Sequence, residues 1–411
     1  MNKINYKSVP IKRIGKVVTG KTPATAHKEF YDGQYMFISP TELHGGYFVK
    51  KSEKTLTEAG LKSVKSNSID GTSILVGCIG WDMGNVAMCN EKCATNQQIN
   101  SITEIKEEYN PYYVYYWLCG KKEYLFSIAS VTRTPILSKS VFEEVLVPLP
   151  EKKQQDNVVN ILLRIDKKIA LNEQINDNLE QQAKLIYDYW FTQFDFPDEN
   201  GKPYCSSGGK MVWNEQLKRN IPENWNVVPL LKLVSWESNS QPPKSEFVYE
   251  PKEGYVRFIQ NRDYDSDTHI TYIPRTKNLS IVDRFDILMD KYGDAGAVRY
   301  GIEGAFNVAL GKICVHNPNY REYIRSFLGS DGIYKFLHNS CMASTRASLS
   351  EANLAILNVV VPDEKIILDY ENFLHKIRVS ILKNKNETVE LINLRDWLLP
   401  MLMNGQATIA D

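Results

Sequence analysis

Residues 158–190, VVNILLRIDKKIALNEQINDNLEQQAKLIYDYW, carry a row of mostly apolar side chains at alternating steps of four and three residues. The positions in this row are Val158, Leu162, Ile165, Ile169, Asn172, Asn176, Leu179, Ala183, Ile186 and Trp190. This spacing is the heptad repeat of a helix that packs against another helix. The stretch therefore predicts a long helix with a helical partner.

The chain contains a second copy of this helix, and the two copies are the simplest candidates to pair. Residues 370–402, YENFLHKIRVSILKNKNETVELINLRDWLLPML, repeat the row at a constant offset of 212 positions, so that Leu162 corresponds to Leu374. The residues predicted to pair the helices are Leu162, Ile165, Ile169, Asn172, Leu179, Ile186, Leu374, Ile377, Ile381, Asn384, Leu391 and Leu398. In an antiparallel pair, Asn172 and Asn384 would come close together near the middle. A polar residue there fixes the alignment of the helices, although both amides are equally compatible with facing solvent.

The regions that precede the two helices also repeat one plan of strands, turns and a final Pro-bounded strand. Ser73–Ile79 is a candidate buried strand followed by a glycine loop, and Ile287–Met289 occupies the same place in the second copy. We predict an α+β fold in which two mixed α/β domains are joined by two long helices that form an antiparallel coiled coil, with a pseudo-two-fold internal repeat. The predicted boundaries are 1–150 for the first domain, 151–192 for the first helix, 193–225 for a connector, 226–362 for the second domain and 363–405 for the second helix.

Composition limits the function only broadly. A chain of 411 residues is too long to fold around one ordinary hydrophobic core, so two or more domains are expected. The 49 basic residues balance the 49 acidic ones, so any surface that binds nucleic acid must be a local basic patch. The seven cysteines do not suggest a disulfide framework. A zinc cluster of Cys78, Cys89 and Cys93 has the wrong spacing for a zinc ribbon, so we predict no metal site. With no signal-peptide pattern and no apolar span long enough to cross a bilayer, we expect a cytoplasmic protein without membrane contact.

The chain shows no pattern typical of catalysis. Asn110-Pro111-Tyr112-Tyr113 approaches an amino-methyltransferase motif but lacks its second proline, and no glycine-rich cofactor loop precedes it. Pro362-Asp363-Glu364-Lys365 is a poor match to a nuclease core, because no acidic pair on a strand precedes it. A phosphate-binding loop and a paired nucleophile and base are also missing from the sequence. We therefore expect a binding protein without chemistry of its own.

Four motifs on this duplicated frame resemble the DNA-specificity subunit of type I restriction–modification systems. They are the turn Gly20-Lys21-Thr22-Pro23, the run Leu146–Pro150, the connector motifs at 194–197, 201–204, 207–209 and 221–225, and the closing run Leu394–Gly405. The resemblance covers almost the whole chain. The second domain departs from it, because Ser240-Gln241-Pro242-Pro243 stands where the first domain has Gly-Lys-Thr-Pro.

The resemblance implies a protein that recognises double-stranded DNA and lends specificity to other subunits. Each globular domain would be a target-recognition domain that reads one half of a bipartite, asymmetric site, and the helices would set the gap between the halves. Two methyltransferase subunits would dock on the helices and perform adenine-N6 methylation with S-adenosylmethionine, and motor–nuclease subunits would join for cleavage. S-adenosylmethionine, ATP and Mg are then expected in the partner subunits only, with no cofactor and no catalytic residue in this chain.

Polar and aromatic residues near predicted strand ends are the candidate DNA contacts. Asn and Gln pair bidentately with adenine, and Arg or Lys with guanine or phosphate. The candidates are Lys21, Thr22, Trp81, Asn96, Gln97, Gln98, Arg133 and Lys139 in the first domain, and Gln260, Asn261, Arg262, Lys291, Tyr292, Arg299 and Arg346 in the second. The run Thr95–Gln98 is also compatible with a hydrated loop, the two arginines Arg133 and Arg346 with internal salt bridges, and the aromatic pair with core packing.

Two other functions remain open from the residues alone. One is a two-headed protein-binding scaffold without a DNA role, which duplication by itself does not distinguish from a DNA reader. The other is an intrinsic methyltransferase, against which the missing motifs argue. Sequence-selective duplex binding with a strong salt dependence distinguishes a DNA reader from the scaffold. Cofactor turnover by the purified chain distinguishes a methyltransferase from a DNA reader without chemistry of its own.

Overall fold

The computed structural model describes residues 5–44, 46–131, 133–265, 269–342 and 348–407. The chain packs into two compact units. Unit 1 comprises Met1–Leu171 with Glu387–Asp411, and unit 2 comprises Asn172–Asn386. Each unit therefore contains one globular region together with a segment of both long helices. The predicted domain boundaries stay a prediction, since these units divide the helices rather than separating them from the globular regions.

Unit 1 is built on two four-stranded sheets. The first is antiparallel and has the strand order Lys16–Thr19, Ile99–Thr103, Ser73–Gly77, Val86–Cys89. The second has the order Lys54–Leu56, Tyr31–Ile38, Cys93–Thr95, Ser68–Ile69, and its two central strands are parallel. Two further antiparallel pairs join Lys7–Pro10 to Leu146–Leu149 and Ser130–Val131 to Pro135–Ile136. The short helices are Ile11–Ile14, Glu58–Ser63, Pro111–Cys119, Lys122–Ser127 and Lys139–Glu143, with 3-10 turns at Lys28–Phe30, Pro40–His44 and Lys65–Asn67.

Unit 2 repeats the two four-stranded sheets and the pair of strands that precedes the long helix, with the same strand orders. Its antiparallel sheet has the order Val234–Ser238, Leu310–Val315, Ile287–Asp290, Val298–Arg299. Its second sheet has the order Tyr272–Pro274, Tyr255–Ile259, Gly304–Phe306, Ile281–Val282, again with a parallel central pair. The outer pair joins Asn226–Pro229 to Asn358–Val361. The helices are Arg321–Leu328, Asp331–Met342 and Glu351–Ala355, with 3-10 turns at Leu230–Lys232, Lys244–Glu246, Asn261–Tyr264 and Pro318–Tyr320.

The central strand Ser73–Gly77 shows why the antiparallel sheet sits at the middle of unit 1. All five of its residues are buried. Ile74 and Val76 pack with the helix Pro111–Cys119 and the long helices, whereas Leu75 packs towards the second sheet. A strand covered on both faces needs a continuous apolar run, and that run made the strand visible in the sequence. The strand Ile287–Asp290 has the same two-sided burial in unit 2.

The two long helices are present and antiparallel within each unit. The first spans Lys152–Tyr187 and continues into a π-turn at Asp188–Thr192, and the second spans Glu364–Met403. In unit 1, Asp166 pairs with Arg395 and Lys168 with Glu387. In unit 2, Asn176 contacts Asn384 and Glu180 pairs with Arg378. In each unit, the residue numbers of the contacts rise along the first helix while those of their partners fall along the second, so the helices are antiparallel.

The predicted pairing row lies on the covered side of both helices. Its members Leu162, Ile165, Ile169, Asn172, Leu374, Ile377 and Ile381 are buried, and Leu179, Ile186, Asn384, Leu391 and Leu398 are half-buried. The second helix is followed by Gly405 at φ +69°, a backbone conformation in which glycine commonly stops helices.

The connector is more ordered than its turn-rich sequence predicts. It forms an antiparallel hairpin from Met211–Asn214 and Arg219–Pro222. The Phe196 ring stacks between Tyr204 and Trp225, with 4.7 Å between ring centroids on each side. Phe196 and Trp225 belong to the core of unit 2, so the connector is a packed part of that unit.

Candidate nucleic-acid interface

Lys21, Thr22 and the run Asn96–Gln98 come together at one end of the unit 1 sheets. The Thr22 hydroxyl donates a hydrogen bond to Gln97 Oε1 at 2.8 Å. Gly20 makes this approach possible, because a Cβ at that position would lie 2.2 Å from the Asn96 carbonyl oxygen. The glycine-containing turn and the polar run therefore form one surface, on which Lys21 and Gln97 are exposed.

Asn96 organises this polar run from within. Its side-chain oxygen accepts a hydrogen bond from the Gln98 backbone at 3.0 Å, and its amide nitrogen donates to Gln98 Oε1 at 2.9 Å. Its backbone N–H donates to the Ile38 carbonyl at 2.9 Å, at the carboxyl end of the parallel strand pair. Asn96 is half-buried and Gln97 is exposed. Gln97 is therefore better placed to meet a ligand than the asparagine that orients the run.

Trp81 lies in the loop that follows the central strand Ser73–Gly77. Arg133 and Lys139 lie before the strand Leu146–Leu149. The Trp81 side chain is 70% exposed, so the core-packing alternative does not hold for it. The backbone of its neighbour Gly80 donates to the Pro135 carbonyl at 3.0 Å, which brings the Trp81 loop beside the segment that carries Arg133. Arg133 is exposed, and Lys139 forms an exposed ion pair with Glu143 at 3.6 Å.

Gln260, Asn261 and Arg262 follow the parallel strand Tyr255–Ile259 of unit 2. The Gln260 amide donates to Thr271 Oγ1 at 3.0 Å, and Asn261 begins the 3-10 turn. The Arg262 side chain is 54% exposed and lies 3.9 Å from the buried carboxylate of Asp263. Arg262 thus keeps an accessible guanidinium on a turn that its neighbours hold in place.

Arg299 has carboxylate partners inside unit 2. Its guanidinium contacts Asp290 at 2.8 Å and Asp294 at 3.5 Å, and it lies 5.6 Å from the centre of the Tyr264 ring. Burial raises the pKa of Asp290, against the opposing effect of Arg299. These contacts give Arg299 a structural role whatever else it binds.

Lys291 and Tyr292 follow the buried strand Ile287–Asp290. Lys291 is half-buried, while Tyr292 is 48% exposed and is therefore not a core aromatic. Arg346 lies outside the described residues. No pattern in the sequence singled out the carboxylates Asp290 and Asp294, because isolated acidic residues at the end of a strand usually face solvent. Their importance comes from their contacts with Arg299.

The described part of the chain offers no arrangement of three or more His, Cys, Asp or Glu side chains that is suited to a metal ion. The Cys89 and Cys93 sulfurs lie 3.6 Å apart in the core of unit 1. Among the described helices, none combines the length and apolar character required to cross a membrane.

Comparisons with known proteins agree on one family. Residues 3–181 match the family model of the type I restriction modification DNA specificity domain. Over 98% of its length the chain is 24% identical to the type I restriction enzyme MjaIX specificity subunit of Methanocaldococcus jannaschii, of which the match covers 93%. It is 32% identical over 142 residues to the HindI specificity subunit of Haemophilus influenzae, across 34% of this chain and 31% of that protein.

A solved structure shares the fold. The crystal structure of the type I restriction–modification system S subunit from M. genitalium matches with a TM-score of 0.61 and 17% sequence identity, over 98% of this chain and 97% of that one.

Proposed function

Because this chain belongs to the family of DNA-specificity subunits of type I restriction–modification systems, we propose that each of its globular regions reads one half of a bipartite, asymmetric DNA site. The long helices set the gap between the two halves and dock two methyltransferase subunits. The chain itself is non-catalytic and directs the chemistry of its partners.

The observation that carries this proposal is that the polar sets of both repeats lie at the carboxyl-end edge of the corresponding parallel strand pair. In unit 1 the parallel strands end at Ile38 and Thr95, and Asn96–Gln98 follow the second strand of the pair. In unit 2 the parallel strands end at Ile259 and Phe306, and Gln260–Arg262 follow the first strand. The carboxyl ends of parallel strands share one edge of a sheet. Each repeat therefore presents its polar side chains from the same edge.

The chemistry at these edges suits the reading of base pairs. Asparagine and glutamine amides match the donor and acceptor pair of adenine in the major groove, and an arginine fork matches guanine. Lys21 and the exposed Trp81 flank the unit 1 set, where an ammonium contacts phosphate and a ring contacts sugar or base. The two sets differ in residue type, so the two half-sites are expected to differ in sequence.

Exposed apolar side chains on the long helices support a role in assembly. Leu185 is 66% exposed and Trp397 58% exposed, and they occupy equivalent positions in the two copies of the helix. A single exposed apolar residue is common on a protein surface, so it is the recurrence of a large one at the same place in both helices that supports a docking role. We assign these positions to the two methyltransferase subunits, which bring S-adenosylmethionine, while motor–nuclease subunits bring ATP and Mg chemistry.

Methylation mapping tests the proposal directly. The full chain is produced in cells together with its modification subunits, and modified adenines are located across the genome. We expect one asymmetric motif with two specified halves and a fixed unspecified gap, and none in cells without this chain. In vitro, the complex should bind that duplex selectively, with affinity that falls steeply with salt. Equal affinity for all duplexes would favour the scaffold alternative.

A further inference from the structure

Asp166 joins three elements of unit 1. It lies on the first long helix, and its residue is 4% exposed. The hydroxyl of Tyr116, on the globular helix Pro111–Cys119, donates to Asp166 Oδ2 at 2.6 Å. Arg395, on the second long helix, donates to Asp166 Oδ1 at 3.0 Å. One buried carboxylate therefore ties the globular region of unit 1 to both helices.

Arg378 performs the same connection in unit 2. It stands 212 positions after Asp166, which is the offset of the helix repeat, and it is 5% exposed. Its guanidinium pairs with Glu180 of the first long helix, and its Nε donates to Glu322 Oε2 at 3.1 Å. It also donates to the Tyr300 hydroxyl at 3.1 Å. Glu322 and Tyr300 both belong to the globular region.

The two connections, which we call the clamps, are equivalent in position but opposite in charge. A carboxylate faces a tyrosine in unit 1, while a guanidinium faces a glutamate and a tyrosine in unit 2. An aliphatic residue would fill either position without the cost of burying a charge. A hydrogen-bonded ionic network, by contrast, fixes the angles and distances of its members. The recurrence of such a network with different chemistry points to fixed geometry as its role.

The electrostatics of the unit 2 clamp agree with an ionised Arg378 and an ionised Glu322. Burial acts against the charge of Arg378, yet its pKa is raised, because Tyr300, Glu180 and Glu322 outweigh that effect. Burial also opposes the charge of Glu322, yet the pKa of this carboxyl is lowered by Arg325 and Arg378.

We propose that Asp166 and Arg378 are positioning residues, which hold each DNA-reading region at a fixed angle on its helix segments and thereby narrow the range of gap lengths accepted. This inference rests on the proposed reading of a bipartite site. Because the clamps differ in charge, each accepts only the globular region of its own unit. If the unit 2 globular region packed on the unit 1 helix segments, Glu322 would meet the Asp166 carboxylate instead of a guanidinium.

Two hydroxyl deletions test the clamps one at a time. Tyr116→Phe removes the bond between Asp166 and the globular region of unit 1 but leaves the Asp166–Arg395 pair. Tyr300→Phe removes the hydroxyl that donates to Glu180 and accepts from Arg378 in unit 2, and it leaves the Arg378–Glu322 pair. The matched control is Lys168→Gln, which breaks the 3.2 Å ion pair between Lys168 and Glu387 that joins the same two helices. Each variant is purified as the full complex with its methyltransferase subunits.

The measurement is affinity for a series of duplexes whose gap is shorter or longer than the mapped gap by one base pair. We expect wild type and Lys168→Gln to discriminate against the altered gaps alike. Tyr116→Phe should lose about tenfold of that discrimination, as expected for one lost hydrogen bond to a charged group. Tyr300→Phe should lose a comparable amount, because it loses two such bonds while the Arg378–Glu322 pair remains. Affinity for the matched gap should change little in either variant.

The outcomes separate this inference from the function on which it rests. If wild type shows no preference for a bipartite site, the proposed function is wrong. If wild type discriminates between gaps and both tyrosine variants keep the same ratio, or lose affinity for all gaps equally, the clamps only stabilise the fold and the positioning role is overturned.

Discussion

Asn384 donates a hydrogen bond from its side-chain amide to the side-chain oxygen of Asn176 at 2.9 Å, across the two long helices within unit 2. Asn176 in turn donates to the Ile381 carbonyl at 3.4 Å. Asn172 is buried, so the solvent-facing alternative does not hold for it. The helix pair therefore has a polar layer in a mostly apolar row, and Asn384 contacts Asn176, four residues after the Asn172 that was expected as its partner.

Replacing one member of this amide pair should cost more than replacing both. Asn384→Leu leaves the Asn176 side chain facing an apolar group, and we expect a loss of about 1–3 kcal/mol in the free energy of unfolding. The double variant Asn176→Leu/Asn384→Leu removes both polar groups and should recover most of that loss. Denaturant unfolding of the four proteins in the mutant cycle measures the coupling. Additive losses would mean that the two amides do not interact.

The long helices and central strands were predictable because their side-chain periods are set locally. A heptad row marks a helix whose partner is a helix, and the unbroken apolar run of Ser73–Gly77 marks a strand covered on both faces. The strand Lys7–Pro10 was harder to identify, because it is short and only partly covered, and its existence depends on pairing with Leu146–Leu149.

The clamps were invisible in the sequence for a different reason. Asp166 and Arg378 sit beside the apolar row, where a charged residue normally faces water. Asp166 is buried by the globular helix that packs over it. That contact joins Asp166 to Tyr116, which is 50 positions away in the sequence. Among the candidate DNA contacts, strand ends were predictable from turn residues, but the pairing of Arg299 with Asp290 depends on tertiary packing.

Arg262→Ala should weaken recognition of one half-site only. The side chain is 54% exposed and contacts the His269 carbonyl at 3.4 Å, so its loss should change stability by less than about 0.5 kcal/mol. We expect about 1–3 kcal/mol less discrimination at one base pair of the unit 2 half-site. The measurement is binding of the complex to duplexes that carry each single substitution.

The control for this measurement is Lys218→Ala, which removes an exposed cation from the connector hairpin. It should leave discrimination in both half-sites unchanged. A uniform loss of affinity for every duplex on Arg262→Ala would instead show that Arg262 contacts the DNA backbone.

Lengthening both helices by one heptad should lengthen the recognised gap. Seven residues are inserted after Asn172 and seven after Asn386, at levels that the antiparallel contacts place opposite each other. The insertion adds about 10.5 Å of helix, or about three base pairs at 3.4 Å each. One heptad also keeps the apolar row nearly in phase.

Methylation mapping of cells with the lengthened chain reads out the gap. Both half-site sequences should be unchanged. Seven residues inserted in the exposed turn at Gly201 serve as the control and should not alter the gap. An unchanged gap in the lengthened chain would eliminate the helices as the spacing element.

The stability of unit 2 should depend on pH through Glu371. Its carboxylate accepts a hydrogen bond from the Glu322 backbone at 2.8 Å. Burial, assisted by the negative charge of Glu322, raises the pKa of Glu371 from its ordinary 4.5 to about 7. Because the folded protein holds this proton more tightly than the unfolded chain, its contribution to stability is fully present below about pH 4.5. That contribution is lost as pH rises through 7.

Glu371→Gln should remove this dependence, since an amide oxygen accepts the same hydrogen bond without becoming charged. We expect the variant to match wild type near pH 5 and to exceed it by about 1–2 kcal/mol near pH 8, a value reduced for the partial exposure of the side chain. Denaturant unfolding at a series of pH values measures the difference. The control is Glu390→Gln, at an exposed position on the same helix, whose free energy of unfolding should vary with pH as that of wild type does. Parallel curves for Glu371→Gln as well would show that this carboxyl ionises in the folded protein as it does in the unfolded chain.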